Sequence, residues 1–153
     1  MAMNKSLFSS IKDDWETPDA LFNDLNQEFM FTLDPCCLPH SAKSTNYFTP
    51  KEDGLIQDWS GVVFMNPPYG RETGKWVAKA FNEALNGCVV VCLVPARTDT
   101  RWWHSYCMRA KEIRFLTRRL TFKGGTNKAT FPAAIVVFSN QKISTPVLLA
   151  QHV

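Results

Sequence analysis

The run Val62-Val63-Phe64-Met65 ends abruptly at Asn66-Pro67-Pro68-Tyr69, and that ending dictates how the stretch folds. Consecutive prolines fix φ and offer no backbone N–H. A β-branched and aromatic run that meets them reads as a buried strand stopping at a rigid loop. A second run, Cys88 to Val94, is apolar without a break and ends at Pro95, as a central parallel strand buried on both faces would. Between and around these runs the period changes. Asp19 to Phe29 sets Leu21, Phe22, Leu25 and Phe29 at helical spacing just after Pro18. Thr73 to Leu85 does the same with Trp76, Val77, Ala80, Phe81 and Ala84, and Thr100 to Arg109 reads as a further helix with Asp99 as a candidate N-cap.

Phe31-Thr32-Leu33 and Glu112 to Leu116 read as strands, with a brief one around Asn46 to Phe48. Leu120 to Phe122 and Ala133 to Phe138 read as a hairpin around Gly124-Gly125, and the tail after Ser139 as a loose terminal strand or extension. Residues 36 to 60 are irregular and rich in Pro, Ser, Thr and Asp; so long a stretch is more often a functional loop than filler. Strands alternating with helices and then a terminal hairpin predict a three-layer α/β fold with a mostly parallel sheet and a C-terminal antiparallel hairpin. In such sheets ligands sit at the carboxyl ends of the strands. Asp34, Asn66 and Pro95 each follow a predicted strand end, so all three are expected to open onto one crevice.

Length and composition narrow the class. A chain of 153 residues with 45% hydrophobic content suits one domain with a packed core. No apolar run approaches the ~20 residues that cross a bilayer, and Met1 to Ser10 lacks the apolar segment of a signal peptide. A cytoplasmic protein with no membrane partner is the expectation. The five cysteines Cys36, Cys37, Cys88, Cys92 and Cys107 follow neither a disulfide-framework nor a zinc spacing, so reduced, mostly buried thiols and no metal are expected. His40, His104 and His152 share no pattern. A net charge of +3 is a mild bias, not that of a tight non-specific DNA binder. The distribution says more. Arg109, Lys111, Arg114, Arg118, Arg119, Lys123 and Lys128 face only Glu112 between residues 109 and 128, which reads either as a solvated face or, the reading favoured here, as a phosphate-facing patch.

The Asn-Pro-Pro-Tyr loop holds an amide, prolyl carbonyls that no ladder needs, and an aromatic face. These suit a planar ring that carries an exocyclic amine. The Asn66 amide oxygen and the Pro67 carbonyl can accept both amine hydrogens while Tyr69 stacks on the ring. Such an amine is a poor nucleophile because its lone pair is delocalised. Acceptors out of the ring plane favour a pyramidal nitrogen, which is stabilisation of the transition state over the ground state. A Pro-Pro turn after a core strand, with Tyr69 as a packing aromatic, is the plainer reading, and the tetrapeptide alone leaves both open.

The wider set of segments decides more. Trp15-Glu16-Thr17-Pro18, the Leu33-Asp34 strand end, Tyr47-Phe48-Thr49 and Asp53-Gly54-Leu55 through Asp58-Trp59 come first. They continue with Asn66-Pro67-Pro68-Tyr69, Pro95-Ala96-Arg97-Thr98-Asp99-Thr100-Arg101-Trp102 and Phe131-Pro132-Ala133. In this order and spacing the chain resembles the phage and prophage-type DNA N6-adenine methyltransferases, the Dam-like family, over roughly residues 13 to 138. The resemblance implies a Rossmann-like fold that uses S-adenosylmethionine, with residues 1–12 as an N-terminal extension, 13–138 as the methyltransferase domain and 139–153 as a C-terminal tail. It places Asn66, Pro67, Pro68 and Tyr69 in the catalytic motif. Trp15, Thr17 and Pro18 fall in the segment that closes over the methionyl part of the cofactor, Asp34 at the first motif, and Asp58 at the acidic position near the cofactor's adenine. Phe122 is carried over as the aromatic that packs against an extruded base.

One departure stands out. Asp34-Pro35-Cys36-Cys37-Leu38-Pro39 contains no glycine, whereas many adenine methyltransferases have a glycine-rich first motif. The cofactor contacts must then come from a differently shaped loop, with Cys36-Cys37 and Ala42-Lys43 as candidates. The target atom lies inside a duplex, so base flipping is implied. DNA phosphates would be met by Arg71, Lys75, Arg97, Arg101, Arg118, Arg119 and Lys123, with Trp103 packing inward. The core uses nearly the whole chain, leaving little for a target-recognition domain, so short or relaxed specificity is expected. The rivals are a methyltransferase acting on RNA or a protein amide, and a non-catalytic nucleic-acid- or cofactor-binding relative.

Overall fold

The computed structural model describes residues 16–123, 127–140 and 145–153. Trp15 and the Gly124-Gly125 turn, both singled out above, lie outside the described residues. Helix α1 (Asp19–Phe29) starts behind Pro18 and ends at Met30, which takes the left-handed conformation and returns its N–H to the Asn26 carbonyl. Strand β1 (Val62–Met65) leads into the Asn-Pro-Pro-Tyr loop, followed by α2 (Thr73–Leu85) and β2 (Val89–Pro95). A short helix α3 (Arg101–Ser105) and a 3-10 turn (Cys107–Arg109) replace the single longer helix expected there. The cap of α3 is Thr100, whose hydroxyl accepts from the Trp103 amide at 3.3 Å, and not Asp99. A 3-10 turn (Pro39–Ser41) precedes β1, and strands β3 (Glu112–Leu116), β4 (Ala133–Phe138) and β5 (Val147–Gln151) follow.

The five strands form one sheet in the order β1-β2-β4-β3-β5. β1 and β2 pair in parallel, as do β3 and β5, while β4 runs antiparallel to both of its neighbours. The sheet is therefore mixed rather than mostly parallel, although β4 alone points against the other four. Nor is the antiparallel element a terminal hairpin. β4 does not pair with Leu120 to Phe122. It lies between β2, in register from Val90 opposite Phe138 to Pro95 opposite Ala133, and β3. All six residues of β4 are buried, so it needs a partner on each edge and a layer on each face. A hairpin partner would supply only one edge. Leu120 and Phe122 are buried because they pack on the core beneath β1 and β2, not because they belong to a ladder. Lys123 instead forms an isolated antiparallel bridge with Glu16.

Beyond β1 the parallel order continues as single bridges, Leu33 beside Val63 and Asp34 beside Tyr47. The strands expected at 31–33 and 46–48 are present in that reduced form. Side chains alternate across the sheet as the pleat requires. Phe64, Val91, Leu93, Ile135 and Val137 face Leu21, Phe22 and Leu25 of α1. Val63, Met65, Val90, Cys92, Val94, Ala134 and Val136 face Trp76, Val77 and Ala80 of α2, with Trp103 of α3 on the same side. The outcome is helix, sheet, helix, which is the predicted three-layer arrangement. The five cysteines are buried and unbridged.

Candidate active site

β1 delivers Asn66 to the carboxyl edge of the sheet, where the prolines forbid further pairing. The Asn66 side chain is held from two sides. Its Nδ2 donates to the Thr17 hydroxyl at 3.1 Å, and its Oδ1 accepts from the Tyr69 hydroxyl at 2.8 Å. Burial pushes the Tyr69 phenol well above its ordinary value, so the hydroxyl stays protonated and able to donate. The same hydroxyl lies 3.5 Å from the Leu93 carbonyl of β2. The tyrosine ring is met edge-on by Phe131, with centroids 5.4 Å apart at 87°, and by Phe122 at 6.0 Å and 64°. Phe122, expected to face a base, is buried in that aromatic group. Phe131, one residue before Pro132, joins the group although its sequence position carries no signal beyond an aromatic ahead of a proline.

The rest of the tetrapeptide fixes the loop. The Pro68 carbonyl accepts from the Thr73 hydroxyl at 2.9 Å, and the Gly70 amide donates to the same hydroxyl oxygen at 3.0 Å. Thr73 is buried at the first position of α2, so the loop is tied to the helix that follows it. Nothing in the sequence marks Thr73, because a Thr at a helix start carries no chemistry of its own.

Asp34 organises the neighbouring loop. Its Oδ1 accepts from the Cys36 amide at 3.2 Å and its Oδ2 from the Lys43 amide at 3.0 Å. These two bonds curl residues 35 to 43 around one carboxylate without a glycine. Burial is the largest influence on Asp34, and it pushes the carboxyl up to about 6 despite the two amides. Cys36 and Cys37 are both buried, and burial pushes their thiols up, so they are not nucleophiles. Glycine appears on the opposite wall instead. A Cβ on Gly54 would lie 2.1 Å from the Pro35 carbonyl oxygen, and Gly54 itself accepts from the Trp59 indole N–H at 2.8 Å. Only glycine lets that loop close on Asp34-Pro35.

A strap runs across these loops. The Glu16 carboxylate takes Lys43 Nζ at 3.2 Å and Lys123 Nζ at 3.6 Å, and its carbonyl takes the Lys123 amide at 2.9 Å. Lys123 Nζ also lies 3.4 Å from Asp19. The next two residues, Thr17 and Pro18, are thereby pinned beside Asn66.

Thus Thr17, Pro18, Asp34, Cys36, Asn66 to Tyr69 and Phe122 gather around the carboxyl ends of the strands. Asp58 does not join them. It is exposed and lines an open cavity of about 460 Å³ with Thr32, Asn46, Tyr47 and Ser60, beside the starts of the strands. Arg97 follows β2 and lies over the Phe131 ring at 5.7 Å, next to the aromatic group. Arg71, Arg101, Arg118 and Arg119 are exposed, and Lys75 is exposed with its ammonium 3.3 Å from Glu72. The basic stretch from 109 to 128 divides. Arg114 turns inward to Glu28, Glu112 and Gln151, and Arg109 stacks on Phe81 at 4.5 Å. Among the described residues no cluster of His, Cys, Asp and Glu is arranged to hold a metal ion, and no helix is long and apolar enough to cross a membrane.

The model of the DNA N-6-adenine-methyltransferase (Dam) family matches residues 4–149. The chain belongs to this family. Haemophilus phage HP1 (strain HP1c1) has a DNA N-6-adenine-methyltransferase to which the chain is 33% identical over 139 residues, covering 84% of the chain and 80% of the relative. Among solved structures, a predicted O-methyltransferase, Atu636 from Agrobacterium tumefaciens, matches with a TM-score of 0.41 at 15% identity, over 90% of the chain and 64% of that protein. Membership makes this member of the Dam family an enzyme, an adenine-specific DNA methyltransferase.

Proposed function

We propose that the crevice between the Asp34 loop, the Glu16–Pro18 strap and the Asn66–Tyr69 loop of this Rossmann-like sheet is where adenine N6 is methylated, with the base flipped out of the duplex. The observation that carries the reading is the clamped amide of Asn66, set where β1 ends and walled by aromatic rings. Asn66 Oδ1 and the Pro67 carbonyl accept the amine hydrogens and favour a pyramidal nitrogen, and Tyr69 contributes a face for the base. A carbonyl oxygen accepts along two lone pairs, so the Tyr69 hydroxyl and an amine hydrogen can share Asn66 Oδ1. Stacking on an aromatic side chain offsets part of the unstacking, by about 1–3 kcal/mol per base. After transfer the surplus N6 proton passes to water.

S-adenosylmethionine, when bound, supplies an electrophilic methyl on a sulfonium. The residues fit such a cationic ligand. Asp34 is a buried carboxylate held by the Cys36 and Lys43 amides and the Cys37 thiol and raised by desolvation, so a nearby positive charge would favour its ionised form. Pro18, Asp34 and the backbone around Thr17 and Cys36 would hold the ligand, with Trp15 as a further candidate from the sequence pattern. Arg71, Lys75, Arg97, Arg101, Arg118 and Arg119 would meet phosphates. Short loops then do any reading of sequence, which favours short or relaxed specificity.

The test is transfer of labelled methyl to unmethylated duplex DNA, single-stranded DNA and RNA, with N6-methyladenine identified by mass spectrometry and its positions mapped. Asn66→Ala is expected to lower kcat by about 10²–10³-fold while cofactor binding, measured by calorimetry, holds within a few-fold. Transfer to RNA alone, or marks confined to one long sequence, would overturn the substrate or the specificity reading respectively.

A further inference from the structure

The hydrogen bond between Asn66 and Thr17 joins residues 49 positions apart. Thr17 is buried, and its backbone has little freedom. On one side Glu16 is bridged to Lys123 and paired with Lys43. On the other, Pro18 has φ fixed by its ring, and its carbonyl accepts the Phe22 amide at the start of α1. The hydroxyl is therefore presented to Asn66 by a rigid mount. An asparagine amide turns about a broad, nearly two-fold torsion, and a half-turn would exchange the acceptor for N–H donors. At a reacting amine, whose hydrogens need acceptors, that exchange is ruinous.

We propose that Thr17 is a positioning residue for methyl transfer, its hydroxyl oxygen taking the Asn66 Nδ2 hydrogen and so holding Oδ1 toward the amine. The inference rests on the role given to Asn66 above. It also links two loops. Lys43, whose amide is bound by Asp34, holds Glu16, and Glu16 precedes Thr17. The loop that Asp34 shapes is thus mechanically joined to the amide that Thr17 holds.

The experiment compares Thr17→Val, which keeps shape and removes the acceptor, with Thr17→Ser, which keeps it. Turnover is measured at saturating cofactor and DNA, cofactor affinity by calorimetry, folding by thermal melts, and the Asn66 side-chain NH2 by ¹⁵N NMR without cofactor. In Thr17→Val, kcat is expected to fall about tenfold. Cofactor affinity should change less than threefold, the NH2 pair should shift and lose exchange protection, and Thr17→Ser should restore both. Unchanged kcat, or a loss confined to cofactor affinity, would overturn the inference. So would an NH2 signal that responds to Tyr69→Phe and not to Thr17→Val, because the amide would then be turned the other way. Should Thr17→Val fail to fold, Thr17→Ser must keep kcat and the NH2 signal near wild type, and loss of either counts against the inference. A wild-type protein that marks no adenine removes the role of Asn66 and, with it, this one for Thr17; an active wild type matched by Thr17→Val removes only the latter.

Discussion

At the scale of single residues, Asp34 carries a cost that pH exposes. Its carboxyl is buried and pushed up to about 6, so the folded protein binds a proton there more readily than the unfolded chain. The stability this contributes is complete below the unfolded value of 3.8 and is lost as pH rises through about 6. Asp34→Asn has no such titration, and its amide can accept only one of the two backbone N–H groups. In urea titrations without cofactor, the wild-type advantage over Asp34→Asn is expected to shrink steadily from pH 4 to pH 7. An advantage constant across that range would show that Asp34 does not titrate in this window. The same residue shows what a sequence can and cannot say. That Asp34 ends a strand is legible from Phe31-Thr32-Leu33 before it and Pro35 after it. That it binds the amides of Cys36 and Lys43 is not, because the loop closes through its own backbone.

At the scale of elements, periodicity is strong evidence where a helix has one wet face and a strand has none. α1 and α2 run over Asp19–Phe29 and Thr73–Leu85, the bounds their spacing predicts, because Pro18 and the Pro-Pro loop mark the chain just ahead of them. β4 is legible as a strand, yet its place is not. A segment buried on both faces is compatible with any interior slot of a sheet, and the Gly-Gly signal drew it toward the nearest partner in sequence. Gly54 decides how two loops meet. Gly54→Ala would force a methyl against the Pro35 carbonyl, which is backbone and cannot step aside. A loss of about 1–3 kcal/mol in a denaturant titration is expected, together with weaker cofactor binding by calorimetry. A variant as stable as wild type would mean that the two loops separate freely.

At the scale of the whole molecule, charge is sorted by the fold rather than by sequence proximity. Lys123 and Arg118 stand five residues apart, but Lys123 is engaged with Glu16 and Asp19, and those acidic neighbours raise its pKa, Glu16 first. Arg118 is exposed. If DNA lies on the exposed arginines, Arg118→Ala should reduce the slope of log K against log salt by about one. Lys123→Ala should leave the slope nearly unchanged. Equal slope changes, read by fluorescence anisotropy across a salt series, would place both cations on phosphate.

β4 follows β3 in the chain but separates it from β2 in the sheet. During synthesis β3 therefore has no neighbour on that edge, and β2 presents a bare edge, until Phe138 has emerged. The wall of the crevice that ends at Pro95 is finished only by Ala133, its register partner. A nascent chain cannot close this sheet by stages, and any cut between Leu116 and Ala133 leaves two pieces with complementary open edges. Such pieces would find each other, or other strands, before either could act alone.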